Sequence, residues 1–553
     1  MEQSFIAYFE KSFQENWDRP ALSDYNGQTL HYKDVARRIA KMHIIFEQCG
    51  LKKGDKVALC ARNQANWGVM FFATLTYGAV VVPILHEFKP DNIHHIVNHS
   101  EARILFVGDM VWENLSEHAM PGLEAIISLL DFSIPYCKDE SIREAREHLN
   151  EHFGRRYPKN FRPENVVYHR DEPEELALIS YTSGTTGMSK GVMLPYRSLW
   201  SNLMFAQEAL PEVCNTSTIV SMLPMAHMYG LMFEFIYEMS AGAHVHFLTR
   251  MPTPKIIMEA FDKIKPSLII SVPMIIEKIY KKQLQPILEK TSVKMLLKLP
   301  IIEQQIKKKI LTELNKTFGD SFYEVIIGGA AFNHEAEEFF RKIGFRYTVG
   351  YGMTECAPII TYADWKDARL YSCGKVVRGM QIKIDSPDPK NITGEILVKG
   401  TNVFLGYYKN EKATAEIFTD DGWMRTGDMG VVDSDGFLFI RGRCKNMILS
   451  SSGQNIYPEE IEDAINNKPY VMESLVVEQN DKLVALVYPD YTAVDAAGLV
   501  NGDLEKALEE MRLKVNEELP SYSQIVKIKI YPEEFEKTPK KSIKRFLYQL
   551  PKA

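Results

Sequence analysis

The sequence predicts an α/β protein with a large N-terminal domain of several subdomains, stacked helix-covered sheets plus a β-rich part, and a small α+β C-terminal domain. Three observations lead to this prediction. The chain has 553 residues, which is too long for one hydrophobic core. Short apolar runs alternate with stretches of helical periodicity over most of the sequence. The pattern then changes twice, first to closely spaced strands and then to a separate α+β unit.

The first part of the chain predicts parallel sheets covered by helices. Stretches with helical periodicity, such as Trp67–Tyr77 and Pro254–Ile264, lie between short apolar runs that are often β-branched. Phe5, Phe9 and Phe13 recur at helical spacing and predict a first helix packed on the core. The predicted strands are Val57–Ala61, Val80–Leu85, Ile104–Val107, Ile219–Leu223, Val245–Leu248, Leu268–Val272 and Val325–Ile327.

The β-rich part starts at Gln381 and the C-terminal unit follows Arg443. The predicted strands of the β-rich part are Gln381–Ile384, Glu395–Val398, Gly430–Val432 and Phe437–Arg441. Beyond them, Ser474–Val477 and Leu483–Val487 flank Asn480-Asp481, which predicts a hairpin. Asp503 is predicted to cap a helix. Its apolar stripe is Leu504, Leu508, Met511, Val515 and Leu519. The predicted domains are residues 1–442 and 447–553, joined by residues 443–446.

Composition excludes several classes of protein. Hydrophobic residues at 45% and charged residues at 25% are normal for a soluble globular protein. The net charge of −7 disfavours a nucleic-acid binder. Seven cysteines without a Cys-x-x-Cys spacing disfavour a zinc site and a disulfide framework, and they favour a reducing cytoplasm. We expect no transmembrane segment and no signal peptide, because no run approaches ~20 apolar residues and the first residues lack basic and apolar regions.

The most informative stretch is a loop of hydroxyls and glycines that follows the apolar run Leu176–Ile179 and ends in Lys190. Glycines let successive backbone N–H groups face one anion, hydroxyls add donors, and the lysine adds a point charge. This chemistry is typical of a nucleotide-phosphate site. The loop is not a Walker A motif, since Ser189 stands where that motif needs a second glycine. An ordinary surface loop is the alternative. The donor residues and glycines are Thr182, Ser183, Gly184, Thr185, Thr186, Gly187 and Gly191.

This loop resembles the phosphate-binding signature of the AMP-forming acyl-adenylate ligases, and the chain is most similar to the long-chain fatty acid–CoA ligases among them. The usual pattern has proline at the position of Ser189. Further family motifs follow in order along the chain. Tyr323–Ala330 is a strand that runs into Gly328-Gly329-Ala330, where a flat base is expected to approach the backbone. Glycines after a strand are also common in plain turns.

The run Gly350–Pro358 matches the family motif without a mismatch. The resemblance implies that Tyr351, after Gly350, stacks on adenine, that Thr354 contacts the α-phosphate and that Glu355 helps to hold Mg²⁺. Mg²⁺ takes oxygen ligands and often binds nucleotide phosphates at the same time, which agrees with this assignment.

Four further positions follow from the resemblance. Asp428, in Trp423–Asp428, resembles the ribose-binding aspartate, and Arg443 resembles the second ribose contact. The alternative for either residue is that it forms one half of a structural salt bridge. Lys445 matches the hinge at which the family rotates its mobile C-terminal domain, and a solvated lysine on a turn is the alternative. Gly453 is expected to line the CoA thiol tunnel.

The C-terminal run departs from the family pattern. The family carries a lysine that reaches the α-phosphate and the substrate carboxylate, and an ungapped alignment puts Ser542 there. Losing one preorganised donor lowers a rate by on the order of 10²–10³. A shifted loop that delivers Lys541 is the favoured interpretation. Lys544 is the alternative, because it shares the face of Ser542 if the segment is extended.

Fewer residues indicate which acid is the substrate than indicate the nucleotide site. Gly352 stands where the acetate-activating branch has tryptophan, so a tunnel for longer acids is expected to stay open. His227 matches a wall of the acyl pocket, and Ser271–Tyr280 resembles the long-chain branch. Residues 277–316 carry ten lysines against four glutamates. This run is either a solvated helical face or a basic mouth that attracts fatty carboxylates or an anionic membrane.

The resemblance therefore implies ATP-dependent activation of a long-chain fatty acid to acyl-AMP, with Mg²⁺ as cofactor, followed by transfer to CoA. The expected partners are fatty acid, ATP and CoA, in a cytoplasmic monomer or homodimer that contacts membranes at most peripherally. One alternative is a ligase that loads a separate acyl carrier protein. A second alternative, motivated by Ser542, is a non-catalytic nucleotide- or acyl-binding protein.

Overall fold

The structure is a computed structural model that describes residues 4–182, 189–250, 252–288, 290, 299–449, 454–479, 482–500, 502–538 and 543–548. The largest sheet has eight strands and is parallel in its middle and antiparallel at both edges. Its strands, in spatial order, are Gly406–Tyr407, Lys190–Pro195, Leu176–Thr182, Val80–Ile84, Lys56–Cys60, Ala102–Val107, Ala125–Ser128 and Tyr136–Cys137.

Helices cover both faces of this sheet, so its central strands are buried on both sides. Val57 and Leu59 belong to one hydrophobic cluster, whereas Ala58 and Cys60 belong to another on the opposite face. This burial explains why the strands are continuous apolar runs in the sequence. The helices of this region include Phe5–Glu15, Tyr32–Gln48, Ala65–Tyr77, Pro90–Ser100, Asp109–Trp112, Glu140–Glu147, Leu149–Arg156 and Tyr196–Ala209.

A second group of strands forms two smaller sheets, whose strands are mostly parallel. One sheet has the order Thr218–Ser221, His244–Phe247, Pro20–Asp24 and Thr29–His31, and a parallel three-stranded sheet has the order Ile269–Ser271, Val325–Ile327 and Tyr347–Val349. An isolated parallel bridge between Ile219 and Leu268 joins the two. The helices here are Met228–Leu231, the π-helical turn Met232–Ile236, Tyr237–Ser240, Pro254–Ile264, Pro273–Ile279, the π-helical turn Tyr280–Leu284, Gln285–Leu288, Pro300–Thr317 and His334–Ile343.

The β-rich part is an antiparallel sheet next to a small antiparallel sheet. The first sheet consists of Met380–Asp385, Gly394–Gly400, Met424–Val432 and Leu438–Arg443, and the second of Tyr351–Gly352, Ile359–Tyr362 and Lys375–Val376. The helix Glu411–Ile417 lies beside them. The α/β class and the predicted strands are confirmed, with ends that differ by up to a few residues, and Gly430–Val432 is the end of a longer strand.

The C-terminal unit has its own hydrophobic clusters, which begin at Ile448, whereas the large cluster ends at Leu438. The predicted boundary at residues 443–446 falls between them. The predicted hairpin is present, and its turn, Asn480-Asp481, lies outside the described residues. The strands are Ile448–Leu449, Asn455–Ile456, Val471–Gln479, Lys482–Pro489 and Ile525–Ile530, and the helices are Pro458–Asn466, Tyr491–Ala496 and Asp503–Glu518.

One capping prediction is wrong. Asp503 is the first residue of its helix, and Gly502 occupies the cap position with φ +84°, a left-handed conformation that favours glycine. Leu508, Met511 and Val515 of the predicted stripe are buried, and Leu504 and Leu519 pack at its margin. The predicted first helix is confirmed, since Phe5, Phe9 and Phe13 are fully buried. Among the described helices, none is long and apolar enough to cross a membrane.

A buried carboxyl group makes the stability of the large domain depend on pH. Glu238 is fully buried, and neither of its carboxyl oxygens has a hydrogen-bond partner among the described residues. Burial raises its pKa from 4.5 to about 8. The folded protein therefore keeps a proton that the unfolded chain releases, and this group lowers the free energy of unfolding as pH rises through that interval.

We expect Glu238→Gln to reduce this pH dependence, because glutamine does not ionise. The measurement is Tm by calorimetry at about pH 5.5 and about pH 8.5, which lie near the two ends of the titration. The decrease in Tm between these pH values should be smaller in the variant than in the wild type. Glu259→Gln, at an exposed position, is the control and should follow the wild type. An equal decrease in Glu238→Gln and wild type would contradict this prediction.

Candidate active site

The predicted base-binding residues lie at one edge of the parallel three-stranded sheet. Its strands pair in register, so the carboxyl ends of Val325–Ile327 and Tyr347–Val349 are adjacent. Gly328-Gly329-Ala330 follows the first of these strands, and Gly350-Tyr351 follows the second. The Gly350 N–H donates to the Ile327 carbonyl at 2.9 Å. Carboxyl ends of parallel strands are the usual place for ligands in open α/β sheets.

The backbone at Gly329 requires glycine and leaves an open face. Its φ is +86°, and a Cβ there would have no atom nearer than Val272 Cγ1 at 4.0 Å. At Gly328 a Cβ would lie 3.1 Å from the ring of Tyr229, whose hydroxyl donates to the Ile326 carbonyl at 3.0 Å. Ala330 is exposed. Gly329 and Ala330 therefore present accessible backbone that a planar base can approach, whereas Gly328 is buried against Tyr229.

Tyr351, Asp428 and Arg443 meet beside this backbone. Asp428 and Arg443 face each other on neighbouring antiparallel strands. The Tyr351 hydroxyl donates to Asp428 Oδ2 at 2.7 Å, and Arg443 Nε lies 2.9 Å from Oδ1. Burial raises the pKa of Asp428, and Arg443 and Tyr351 oppose that shift. The carboxylate is thus held rigidly with both oxygens engaged, and Arg443 remains two-thirds exposed.

The two ends of the phosphate loop lie side by side on paired strands. Thr182 pairs with Lys190 across antiparallel strands. The side chain of Lys190 is half-buried, and its Nζ lies 4.8 Å from the centroid of the Tyr407 ring. Between these ends, Ser183, Gly184, Thr185, Thr186 and Gly187 lie outside the described residues.

Thr354 and Glu355 lie in a short 3₁₀ turn whose backbone is hydrogen-bonded to residues of neighbouring elements. The amide of Asn202 donates to the Cys356 carbonyl at 3.0 Å and accepts from the Ile359 N–H at 3.0 Å. The Phe404 N–H donates to the Glu355 carbonyl at 2.9 Å. Ala357 closes the turn with φ +60°. The turn therefore places the two predicted side chains in one orientation.

The Glu355 carboxylate has the character of a cation ligand. It is buried, and the Tyr407 hydroxyl donates to its Oε1 at 2.8 Å. Among the described residues, no lysine, arginine or histidine nitrogen lies within 4 Å of it. A buried carboxylate without a basic partner is costly unless a cation compensates it. Its oxygen chemistry fits Mg²⁺, which usually takes one or two protein carboxylates together with substrate phosphates and water.

Tyr407 and Asn202 are absent from the sequence predictions. Asn202 is fully buried on a helix with a largely apolar inner face, and such an inward-facing amide was an available signal. For Tyr407 the only local signal is the preceding Gly406, where a Cβ would lie 2.6 Å from Thr414 Cγ2. Its position next to Glu355 depends on tertiary pairing.

The predicted acyl-pocket residues flank the same region. His227 is half-buried and precedes the helix Met228–Leu231, whose Tyr229 packs on Gly328. Gly352 is exposed, and a Cβ there would lie 2.2 Å from the Pro358 carbonyl oxygen. This close approach of two backbones requires glycine whatever the size of the acid, so Gly352 alone does not establish an open tunnel.

The structure describes some of the predicted site residues of the C-terminal part and not others. Lys445 is exposed in the turn Cys444–Asn446, and Gly453, Lys541 and Ser542 lie outside the described residues. Lys537 and Ile543 form an antiparallel bridge. The ends of this run are therefore side by side, which a single extended segment does not allow.

The alternative lysine is engaged elsewhere. The Lys544 side chain donates to the Glu536 carboxylate, and the Lys544 N–H donates to the Glu536 carbonyl at 2.8 Å. The interpretation in which Lys544 replaces the family lysine through an extended register therefore has no support in the geometry.

Comparisons with known proteins agree with this arrangement. A family model described as "AMP-binding enzyme" matches residues 9–408, and one described as "AMP-binding enzyme C-terminal domain" matches residues 445–548. A long-chain-fatty-acid–CoA ligase of Homo sapiens, ACSBG2, is 25% identical over 87% of this chain and 75% of its own length. The Mycobacterium bovis ligase FadD15 is 27% identical over 93% of this chain and 89% of its own.

Solved structures share the fold over almost the whole chain. ATP-bound MatB from Rhodopseudomonas palustris matches with a TM-score of 0.76, 22% identity and 98% coverage of both chains. The o-succinylbenzoate CoA synthetase MenE from Bacillus subtilis, solved with ATP and magnesium ion, matches with a TM-score of 0.74, 20% identity and 98% coverage of both chains. The chain therefore belongs to the AMP-binding enzyme family, and it is an acid–CoA ligase that forms an acyl-adenylate.

Proposed function

We propose that this enzyme activates a long-chain fatty acid with ATP, releases pyrophosphate and transfers the acyl group from acyl-AMP to CoA. The observation that carries the choice of acid is that relatives matching 87% and 93% of the chain are named long-chain-fatty-acid–CoA ligases. Solved structures with this fold are named for other acids, among them anthranilate and o-succinylbenzoate. The fold alone therefore does not select the acid.

In the first step the fatty carboxylate attacks the α-phosphorus and pyrophosphate leaves. Two anions must approach each other, so the site has to neutralise the phosphates. Lys190 supplies one positive charge, and Glu355, with Thr354 beside it, would hold Mg²⁺, which adds charge at the phosphate oxygens. Asp428 accepts from the ribose hydroxyls next to Tyr351. The rate gain comes from positioning and electrostatics, without a protein nucleophile.

In the second step the CoA thiol attacks the acyl carbonyl and AMP leaves. This step is proposed to follow rotation of the C-terminal domain about Lys445. Two observations support the proposal: the turn Cys444–Asn446 lies between separate hydrophobic clusters, and it contributes no buried residue. The rotated domain excludes water that would hydrolyse the adenylate.

The proposed location is the cytoplasm, with peripheral contact to anionic membranes. All seven cysteines are free thiols, which supports a reducing compartment. Lys308 and Lys309 are exposed on the helix Pro300–Thr317, which supports a basic surface. Part of the positive charge of this helix is paired, because Lys307 and Lys316 bind Glu303 and Glu313 at 2.8 and 3.0 Å.

The first prediction on activity concerns the metal and the phosphates. Glu355→Gln and Lys190→Ala should each slow acyl-AMP formation by on the order of 10²-fold, because each removes one preorganised charge. Acid-dependent exchange of labelled pyrophosphate into ATP measures this step. Glu259→Gln and Lys308→Ala, at exposed positions, are the matched controls. Wild-type rates in folded Glu355→Gln or Lys190→Ala would remove that residue from the mechanism.

The second prediction concerns the acid and the acceptor. Pyrophosphate release, measured from acetate to a C18 acid, should rise with chain length, because the proposal assigns a long apolar tail to the substrate. This test uses the wild-type enzyme rather than a Gly352 variant, because any side chain at Gly352 collides with the Pro358 carbonyl. A maximum at short or aromatic acids would overturn the long-chain assignment. Faster transfer to a phosphopantetheinyl carrier than to CoA would favour the carrier-loading alternative.

The third prediction concerns the displaced lysine. Lys541→Ala should lower acyl-AMP formation by about 10²-fold or more, and it should leave thioester formation from supplied acyl-AMP nearly intact. Lys544→Ala should have little effect on adenylation, because Lys544 is paired with Glu536. Lys540→Ala is the neighbouring control.

Ser542→Lys is the complementary test of the same prediction. Restoring the family residue should leave the first-step rate unchanged if Lys541 already supplies the charge. A faster first step in Ser542→Lys, together with a wild-type rate in Lys541→Ala, would show that no neighbour has replaced the family lysine.

A further inference from the structure

Tyr407 contacts both of the charged residues assigned to metal and phosphate. Its hydroxyl donates to Glu355 Oε1 at 2.8 Å, and Lys190 Nζ lies 4.8 Å from its ring centroid. Lys190 and Glu355 are opposite charges in the same small region, yet they do not form an ion pair within 4 Å. The same tyrosine thus contacts Glu355 through its hydroxyl and Lys190 through its ring.

The ring is held firmly in this position. Tyr407 pairs with Val192 at the edge of the eight-stranded sheet, and its N–H donates to Thr414 Oγ1 at 2.9 Å. The ring packs edge-on against Phe404 with centroids 5.0 Å apart. Only 7% of the residue is exposed. Backbone pairing and packing therefore restrict both the main chain and the side chain.

The hydroxyl acts on Glu355 as a neutral donor. The phenol O–H of Tyr407 is the donor, and the Glu355 carboxylate oxygen accepts. A hydrogen bond to Oε1 fixes the plane of the carboxylate and leaves Oε2 for a cation. Partners of this kind orient metal ligands, and their loss typically weakens metal affinity by about 10–100-fold.

The ring face acts on Lys190 as a weak partner. An ammonium group within about 6 Å of an aromatic centroid is attracted to the ring face. This attraction is weaker than a buried ion pair with Glu355, whose desolvated charges would have to separate before either could bind substrate. The ring therefore keeps the lysine near the site without neutralising the carboxylate.

We propose that Tyr407 is a positioning residue that separates Lys190 from Glu355, so that Lys190 remains available to phosphate and Glu355 to Mg²⁺. The inference rests on the roles of Glu355 and Lys190 under the proposed function. It goes further by assigning one side chain to the orientation of both groups. In this proposal the hydroxyl orients the metal ligand Glu355, and the ring keeps Lys190 available to phosphate.

The hydroxyl is tested by equilibrium binding, which does not depend on turnover. The probe is α,β-methylene-ATP, titrated calorimetrically with and without Mg²⁺. Tyr407→Phe should reduce the tightening by Mg²⁺ by about 10–100-fold and leave the metal-free affinity unchanged, because the ring stays over Lys190. In a Glu355→Gln background the same substitution should have no further effect. Equal loss with and without Mg²⁺, or additive loss in that background, would overturn the proposal.

The comparison with Glu355→Gln separates this inference from the proposed function. If Glu355→Gln itself leaves the effect of Mg²⁺ unchanged, the assignment of Glu355 is wrong. If Glu355→Gln abolishes the effect of Mg²⁺ and Tyr407→Phe does not reduce it, only the role of Tyr407 is wrong.

The ring is tested by Tyr407→Leu, which keeps apolar bulk but removes the aromatic face. Relative to Tyr407→Phe, it should weaken metal-free binding of α,β-methylene-ATP, because Lys190 then pairs with Glu355. That additional loss should disappear in a Lys190→Ala background. An additional loss that persists without Lys190 would overturn the spacer role. Tm of each variant checks folding, and Tyr407→Phe preserves the test of the hydroxyl if Tyr407→Leu does not fold.

Discussion

The site depends on the turn at Thr354–Ala357, which joins separate parts of the fold. Glu355 precedes a strand of the small antiparallel sheet, whereas Tyr407 belongs to the edge of the eight-stranded sheet. The hydrogen bond from the Phe404 N–H to the Glu355 carbonyl connects these two sheets, and Asn202 connects the turn to a helix. A displacement of any of these elements would therefore move the Glu355 carboxylate. Charge stabilisation in an active site needs such preorganisation, because reorganisation during the reaction reduces its benefit.

The two charged pairs of the site are arranged in opposite ways. Asp428 and Arg443 are in direct contact, so the buried aspartate is compensated in the absence of nucleotide. Glu355 and Lys190 instead each contact Tyr407, one at its hydroxyl and one at its ring, and under our proposal both keep their charge for other partners. Ribose hydroxyls are neutral and can share a carboxylate that already binds an arginine. A metal ion and a phosphate carry full charges and need partners that are not already paired.

The sequence predicted the elements better than the contacts between them. Central strands such as Val80–Ile84 were predictable because burial on both faces demands continuous apolar residues. Asp503 was predicted as a cap because its residue type favours that position, but the left-handed Gly502 moves the helix start by one residue. Glu355 was predicted from a local motif. Tyr407 was not, because it is 52 positions away and meets Glu355 only through sheet pairing.

The anchoring of the C-terminal run limits which of its lysines could contact a phosphate. Arg545 binds both carboxylate oxygens of Glu462 at 2.7 and 2.6 Å, and Lys537 pairs with Glu473 and Glu534. Both cations are used to attach the run to the domain, and they are not free to reach a phosphate. Adjacent Cα atoms are about 3.8 Å apart, a distance shorter than a lysine side chain. A lysine one position from Ser542 can therefore supply the charge through a modest local shift, while its anchors stay in place.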